Sequence, residues 1–301
     1  MGNRIFVGVV VILWMGTMSW LMVARILPPF FHGEPPGHGV LNRSEPVCWQ
    51  IEYDGRAVGH AVSQAVPGAL GTTEIHSRVL VEGIDIRKLA PQWMGSLVRG
   101  LGEISLDTRT ALVVDSLGNL SAFETRVWLN DLPIVMKVLG RVDGADLVLK
   151  LQTGEVTHEV RYPVPDQAML TSELIPEPKL LHLYVGRTWQ QEVYSPFRPP
   201  TSSLEIMQAE VVEESWIEHQ GERTRAKRIE FRTLPPAGVA ASNTLRAVVW
   251  VSDDGTVLRQ DVHLLDVRLR FERRSEPHMI KLAEELLDLE TVATLARPSS
   301  P

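Results

Sequence analysis

The sequence predicts a mainly β protein, a curved antiparallel sheet or half-barrel with a few short helices and one N-terminal transmembrane helix. Three observations support this fold class. Apolar and polar residues alternate along many short segments, as they do in strands that turn one face to a core. Pairs such as Asp-Gly separate these segments and are typical of hairpin turns. Residues 5–24 carry no charge, and a helix needs about 20 such residues to cross a membrane.

Residues 1–27 are predicted to form an uncleaved signal anchor. The uncharged segment lies between Arg4 and Arg25, and it exceeds the apolar core of a secretory signal peptide, which is usually about 7–15 residues long. A cleaved signal peptide is the alternative. The short N-terminal flank and the large body predict a single-pass protein of the bacterial inner (cytoplasmic) membrane, with its body on the extracytoplasmic side. Residues 28–47, rich in Pro and Gly, are predicted to be a stalk.

Residues 48–275 are predicted to form the β-rich body. Its first segment, CWQIEYDGRAVGHAVSQAV, has two alternating arms around Asp54 and Gly55. A similar order of strand, Asp, Gly turn and strand occurs late in each half of the body. The sequence therefore permits two similar halves, 48–160 and 180–275, although hairpins resemble one another by chance because Asp and Gly dominate turns.

The stretch AVVWVSDDGTVLRQDVHLL, residues 247–265, raises the question of catalysis because it holds several acidic side chains. Asp254 and Gly255 form a hairpin signal, and Asp261 falls on the polar side of the strand that follows. Asp253 and Asp254 are adjacent, so their side chains point in different directions and cannot hold one substrate atom together. The stretch predicts a hairpin with a half-solvated second strand.

Three short helices interrupt the strands in this prediction. A segment with apolar residues at a spacing of four predicts a helix near 89–101, and a Pro-bounded segment predicts one near 166–174. The C-terminal part, 276–301, is predicted to be a helix over 279–295 followed by a tail. The first of these helices is expected to pack in the core, with a cap on the sheet or a contact with lipid as alternatives. The last is expected to pack on the sheet or to contact a partner.

Composition excludes several classes of protein. The formal net charge of −7 argues against nucleic-acid binding, which usually needs a basic patch. The single Cys48 excludes an internal disulfide and a multi-cysteine zinc site, and the scattered histidines predict no metal centre and no cofactor. A Cys48-dependent acyl transferase, with His60 as the base, is the one catalytic alternative. The sequence predicts no catalytic residue otherwise and favours a protein that is not an enzyme.

The segments CWQIEYDGRAVGHAVS, VVDSLGNLSAFE, GRVDGADLVLKL and VWVSDDGTVLRQDV carry a resemblance that covers about residues 48–273. Their order resembles the β-rich extracytoplasmic region of some bacterial membrane-anchored transglutaminase-like proteins. In that family the β region leads into a papain-like domain with Cys, His and Asp. Too few residues follow the last strand here for such a domain, so the resemblance implies an accessory module. The succession of hairpins is also similar to the half-barrels of periplasmic lipoprotein carriers.

Two functions follow as expectations. The first is a non-catalytic, membrane-tethered interaction module of the cell envelope, with envelope proteins as partners. The second is a carrier or sensor that holds an apolar ligand, a lipid or a lipoprotein, in a half-barrel cavity. The membrane itself is a partner through the N-terminal helix in both cases. The predicted cavity lining consists of large apolar side chains, namely Trp93, Leu97, Trp128, Met136, Trp216 and Trp250.

Overall fold

The computed structural model describes residues 13–20, 46–85, 103–115, 120–130, 136–163, 171–172, 179–194, 204–234, 244–264, 267–275 and 281. Fifteen strands in these ranges form one sheet. The strands are β1 (Val47–Tyr53), β2 (Arg56–Pro67), β3 (Thr73–Asp85), β4 (Glu103–Val114), β5 (Leu120–Leu129), β6 (Met136–Asp143), β7 (Asp146–Thr153), β8 (Val156–Pro163), β9 (Thr171–Ser172), β10 (Thr188–Tyr194), β11 (Leu204–His219), β12 (Glu222–Thr233), β13 (Leu245–Val251), β14 (Val257–Leu264) and β15 (Val267–Arg274), with a 3-10 turn at Ala69–Gly71.

The sheet is a long meander whose two halves meet at the first and last strands. Its order is β8-β7-β6-β5-β4-β3-β2-β1-β15-β14-β13-β12-β11-β10-β9, so β1 pairs with both β2 and β15. Every neighbouring pair is antiparallel except β9 and β10. In the described residues β8 and β9 are the two edges, and the sheet is not closed. The prediction of a mainly β protein built on an antiparallel sheet is confirmed.

Two hairpins turn on the residues that such turns require. Asp54 and Gly55 both have positive φ, 48° and 74°, in the turn between β1 and β2. Gln220 and Gly221 have φ values of 52° and 79° between β11 and β12. Positive φ at both central residues matches the right-handed twist of the flanking strands. The Asp-Gly signal therefore placed the first hairpin correctly.

Register shifts curve the sheet. They interrupt the pairing of β1 with β2, β3 with β4, β4 with β5, β11 with β12, β12 with β13 and β13 with β14. An extra residue on one strand bends that strand and increases its local twist. The shift in β11, between Val211 and Glu213, separates the half of this strand that packs in the core from the half that extends toward the hairpin tip.

One face of the sheet carries the core. Strands β1–β5 and β10–β15 contribute to a single apolar cluster, in which Trp49, Ile51, Trp189 and Phe271 are 0% exposed. Trp189 packs edge-on against Phe231 with ring centroids 5.9 Å apart. Complete burial of such large side chains shows that this apolar face is packed and closed to solvent at these residues.

The helix prediction for 166–174 is wrong at Thr171–Ser172, which form β9. These residues pair in parallel with Val193 and Tyr194 of β10, and this long-range pairing outweighs the local helix preference. Within the predicted helix 279–295 the structure describes residue 281, which is helical, and the predicted helix 89–101 lies outside the described residues. Residues 13–20 are helical, and no helix in the described ranges is long and apolar enough to cross a membrane.

Gly255 lies in the β13–β14 turn, where the backbone of Leu180 approaches it closely. Its φ is +83°, and a Cβ atom there would lie 2.5 Å from the carbonyl oxygen of Leu180. Gly255→Ala should therefore lower the free energy of unfolding by more than the ~1–3 kcal/mol of backbone strain alone. Gly221→Ala is the matched control, because its φ is +79° but no atom lies within 4 Å of the added Cβ. Urea denaturation measures both, and equal losses would contradict the close approach.

Candidate functional site

The β11–β12 hairpin folds back over the sheet. In the sheet order β13 and β14 separate β12 from β15, yet the hairpin tip contacts the end of β15. Gln220 Nε2 donates to the Arg273 carbonyl at 3.0 Å, and Ser275 Oγ donates to Gln220 Oε1 at 3.3 Å. The His219 ring nitrogen Nδ1 lies 3.6 Å from Glu272 Oε1. The tip must therefore cross over β13 and β14, and it covers part of the face that is opposite the core cluster.

A cavity of about 750 Å³ lies between the hairpin and this face. The volume is within the range of ligand pockets, roughly 300–1,000 Å³. We call it the polar cavity, because charged and polar residues dominate its lining. The lining residues are Glu52, Ser215, Trp216, Ile217, Glu218, Gln220, Gly221, Trp250, Arg259, Arg270, Glu272 and Arg274.

The polar lining follows from the alternation of side chains between the two faces of neighbouring strands such as β15 and β1. In β15 the core residues Leu269 and Phe271 alternate with charged residues, and Arg270 and Glu272 therefore point to the opposite face. The pairing of β15 with β1 places Glu52 across from Arg270. We call this face of β14, β15 and β1 the polar face.

Asp261 of β14 anchors the polar face. Its side chain is 0% exposed and is surrounded by three arginines. Arg259 donates from Nε and Nη2 at 3.2 Å each, Arg270 donates from Nε at 3.2 Å, and Arg268 donates from Nη2. Burial raises the pKa of the Asp261 carboxyl, but the hydrogen bonds from Arg259 and Arg268 and the charges of Arg259 and Arg270 outweigh burial, so the pKa lies below its usual range. The carboxylate therefore stays ionised and holds the guanidinium groups in place.

The arginines that line the cavity have further contacts that fix their positions. The Arg259 guanidinium lies over the Trp250 ring, 4.0 Å from its centroid, in a cation–π contact. Arg274 Nη2 donates to Glu272 Oε2 at 3.3 Å. A planar guanidinium held by a carboxylate on one edge and by an indole on its face is well placed to bind a second oxygen group.

The structure brings together two of the six residues predicted to line a cavity. Trp216 and Trp250 both border the polar cavity, although Trp216 is 59% exposed. Trp128 lies on β5 beneath Arg109, whose Cζ is 5.0 Å from the ring centroid. Met136 packs against a separate apolar cluster formed by Leu120, Phe123, Val138, Leu147 and Leu149. Trp93 and Leu97 lie outside the described residues.

The adjacent aspartates are turn residues, as the sequence predicts. Asp253 pairs with Lys227 at 2.6 Å, whereas Asp254 accepts hydrogen bonds from Ser252 and Thr256 inside the turn. Partial burial raises the pKa of Asp254, but these hydrogen bonds outweigh it and lower the pKa to about 2. The two carboxylates have separate partners and do not act on one atom.

Cys48 is buried, with 2% exposure, and it lies opposite Val62 on β2. His60 lies opposite Gln50 on the same pair of strands. Burial lowers the pKa of His60 more than the charge of Glu82 raises it. In the part of the chain that the structure describes, no group of three or more His, Cys, Asp or Glu residues could hold a metal ion.

The charged residues of the cavity were not predicted from the sequence. The alternation in VRLRFERR is a signal that places Arg270, Glu272 and Arg274 on one face, but such a face is usually solvated. The sequence does not show that β1 lies beside β15 or that the hairpin tip at Gln220 covers these strands. Both depend on residues far apart in the sequence.

Comparisons with known proteins yield a weak structural likeness. No family model and no curated protein matches this chain. A solved structure, the beta-barrel-like protein of the domain of unknown function DUF1849 from Brucella abortus, is similar with a TM-score of 0.47 and 9% sequence identity. The likeness covers 77% of this chain and 95% of that chain. At this level it assigns neither a ligand nor an activity here, and the resemblances to transglutaminase-like β regions and to lipoprotein carriers stay predictions.

Proposed function

We propose that this chain is a non-catalytic binding module of the bacterial cell envelope, tethered to the inner membrane, which holds the polar part of a ligand or partner in the polar cavity. The observation that supports the proposal is the hairpin fixed over a charged face, with Gln220 joined to Arg273 and Ser275. A hairpin that served only to protect an edge would have no need to cross two strands. The crossing instead shields the arginines from part of the solvent, which strengthens their interaction with a bound group.

The lining favours a polar ligand over an apolar one. Seating an apolar molecule against Arg259, Arg270 and Glu272 would remove water from charged groups without replacing their hydrogen bonds. The apolar face of the sheet is filled by side chains such as Trp49 and Phe271, which are 0% exposed. A carrier or sensor of an apolar ligand is the alternative, and it would need an apolar site beyond these residues.

The anchor is a separate part of the proposal. Residues 1–27 would hold the protein in the membrane and 28–47 would connect the anchor to the β-rich body outside the cytoplasm. Alkaline carbonate extraction should leave the full chain in the membrane fraction, and protease added to spheroplasts should digest the body. Release of full-length protein into the soluble fraction would contradict the anchor.

Native mass spectrometry of the full chain in detergent, followed by organic extraction, tests the binding proposal. We expect a bound polar or anionic molecule or a captured envelope protein, and no stoichiometric lipid without a charged headgroup in the organic phase. A stoichiometric apolar lipid would favour the carrier instead. Cys48→Ser should leave binding unchanged because Cys48 is buried and does not line the cavity. Loss of binding in a folded Cys48→Ser protein would support the acyl transferase alternative.

A further inference from the structure

Arginines and carboxylates alternate around the polar cavity, and the arginines share partners. Four guanidinium groups, those of Arg259, Arg268, Arg270 and Arg274, share three carboxylates. These carboxylates are Asp261, which has contacts to three of the arginines, Glu52, which lies 3.8 Å from Arg270, and Glu272, which pairs with Arg274. Glu218 is a fourth carboxylate that borders the cavity, and it lies on the hairpin.

Arg259, which is held by both Asp261 and Trp250, has an N–H donor group that is not directed at Asp261. A guanidinium has five N–H donors. Arg259 directs Nε and Nη2 at Asp261, which leaves its second terminal nitrogen, Nη1, for another acceptor. The Trp250 ring holds the guanidinium plane at 4.0 Å. Because Arg259 lines the cavity, this donor is fixed where a ligand would lie.

We infer that the polar cavity is an anion site, which binds the phosphate or carboxylate group of its ligand through Arg259, Arg270 and Arg274. This inference rests on the proposed function and names its ligand class. Planar guanidinium groups match the two oxygens of a carboxylate or a phosphate. Glu52 and Glu272 then accept hydrogen bonds from hydroxyl or amino groups on the rest of the ligand. A free small molecule and a lipid headgroup can both supply this chemistry.

A second Trp/Arg/Asp cluster on the sheet provides a matched control. Arg109 lies over Trp128 and contacts Asp107 at 3.3 Å, much as Arg259 lies over Trp250 and contacts Asp261. Arg109 is not among the cavity residues. Substituting each arginine by the same residue therefore distinguishes the loss of an anion contact at Arg259 from the general effect of removing an arginine that lies over a tryptophan.

The test is isothermal titration of the full chain in detergent with inorganic phosphate, and with glycerol as the neutral probe. Arg259→Gln and Arg274→Gln should each weaken phosphate binding by about tenfold or more, the loss expected when a charge-assisted hydrogen bond is removed. Arg109→Gln should bind phosphate as the wild type does. Arg274 does not contact Asp261, so Arg274→Gln keeps the test valid if Arg259→Gln fails to fold.

A second arm distinguishes the two sources of the anion. Vesicles of phosphatidylglycerol in phosphatidylcholine are compared with vesicles of phosphatidylcholine alone. If Arg274→Gln weakens the binding of inorganic phosphate, the ligand is a free anion. If inorganic phosphate does not bind but phosphatidylglycerol vesicles bind in an Arg274-dependent way, the ligand is a lipid headgroup. Binding of neither, or binding that is equal in Arg274→Gln and Arg109→Gln, overturns the anion inference. If the anion inference fails, the proposed function still stands when a neutral polar ligand binds the wild type and is absent from Ser215→Trp, whose larger side chain fills the cavity.

Discussion

Asp261→Asn should lower the free energy of unfolding by about 3–5 kcal/mol at pH 7, because it removes the charge that Arg259, Arg268 and Arg270 share at the centre of the polar face. The Asp261 side chain is 0% exposed, so the guanidinium groups that donate to it lose a buried, charged acceptor. Urea denaturation of the wild type and the variant measures the difference. Asp253→Asn is the control, since its carboxylate is 64% exposed and its pair with Lys227 should contribute less than about 1 kcal/mol.

The lowered pKa of Asp261 should also make the free energy of unfolding depend on pH. The pKa of Asp261 is lower in the folded protein than in the unfolded chain, where a free aspartate titrates near 3.9. Its stabilising contribution is therefore complete above that unfolded value and is lost as the pH falls through the lower folded value. The stability difference between wild type and Asp261→Asn should shrink over this acidic window. A difference below about 1 kcal/mol at pH 7 would contradict the role of Asp261 as an anchor.

Phe271→Ala should lower the free energy of unfolding by about 3–5 kcal/mol, the cost of a large cavity in a packed core. Phe271 is 0% exposed in the cluster that joins the two halves of the sheet. If the apolar face were instead the wall of an empty ligand cavity, truncation would cost little. Trp216→Ala is the control with a side chain of similar size, because Trp216 is 59% exposed. A loss below about 1 kcal/mol in Phe271→Ala would favour the carrier of an apolar ligand.

Local patterns predicted the hairpins but not how they assemble. The period of two and the pair Asp54-Gly55 placed the β1–β2 hairpin, because these signals lie within a few residues of one another. The pairing of β1 with β15 joins residues that are far apart, such as Ile51 and Phe271, and no local signal reports it. The strand at Thr171–Ser172 was missed for the same reason.

The faces of a strand also depend on register. In β14 the sequence pattern places Leu258 with Val262, but a register shift puts Arg259 across from Trp250 and Val257 across from Val251. Leu258 then packs with Trp250 in a cluster apart from the main core. A bulge of this kind changes which face a residue occupies, and alternation alone cannot show it.

For the site, the sequence identified large side chains but not the charges beside them. Trp216 and Trp250 were predicted as cavity residues and both border the polar cavity. The apolar character expected for that cavity rested on large apolar side chains, and a side chain's size says nothing about its neighbours on adjacent strands. The half-solvated strand expected around Asp261 is instead covered there, because arginines from two strands enclose the carboxylate.

We propose that the polar cavity under the β11–β12 hairpin is the binding site. Native mass spectrometry of the full chain in detergent tests this directly by comparing the wild type with Ser215→Trp. This substitution places an indole in the cavity and leaves every charged residue of the lining in place. Val156→Trp is the control, since Val156 is 55% exposed on β8.

We expect the wild type and Val156→Trp to carry the same bound mass, and Ser215→Trp to carry none while its unfolding midpoint in urea is unchanged. Equal occupancy in all three proteins, including none in any of them, would contradict this proposal.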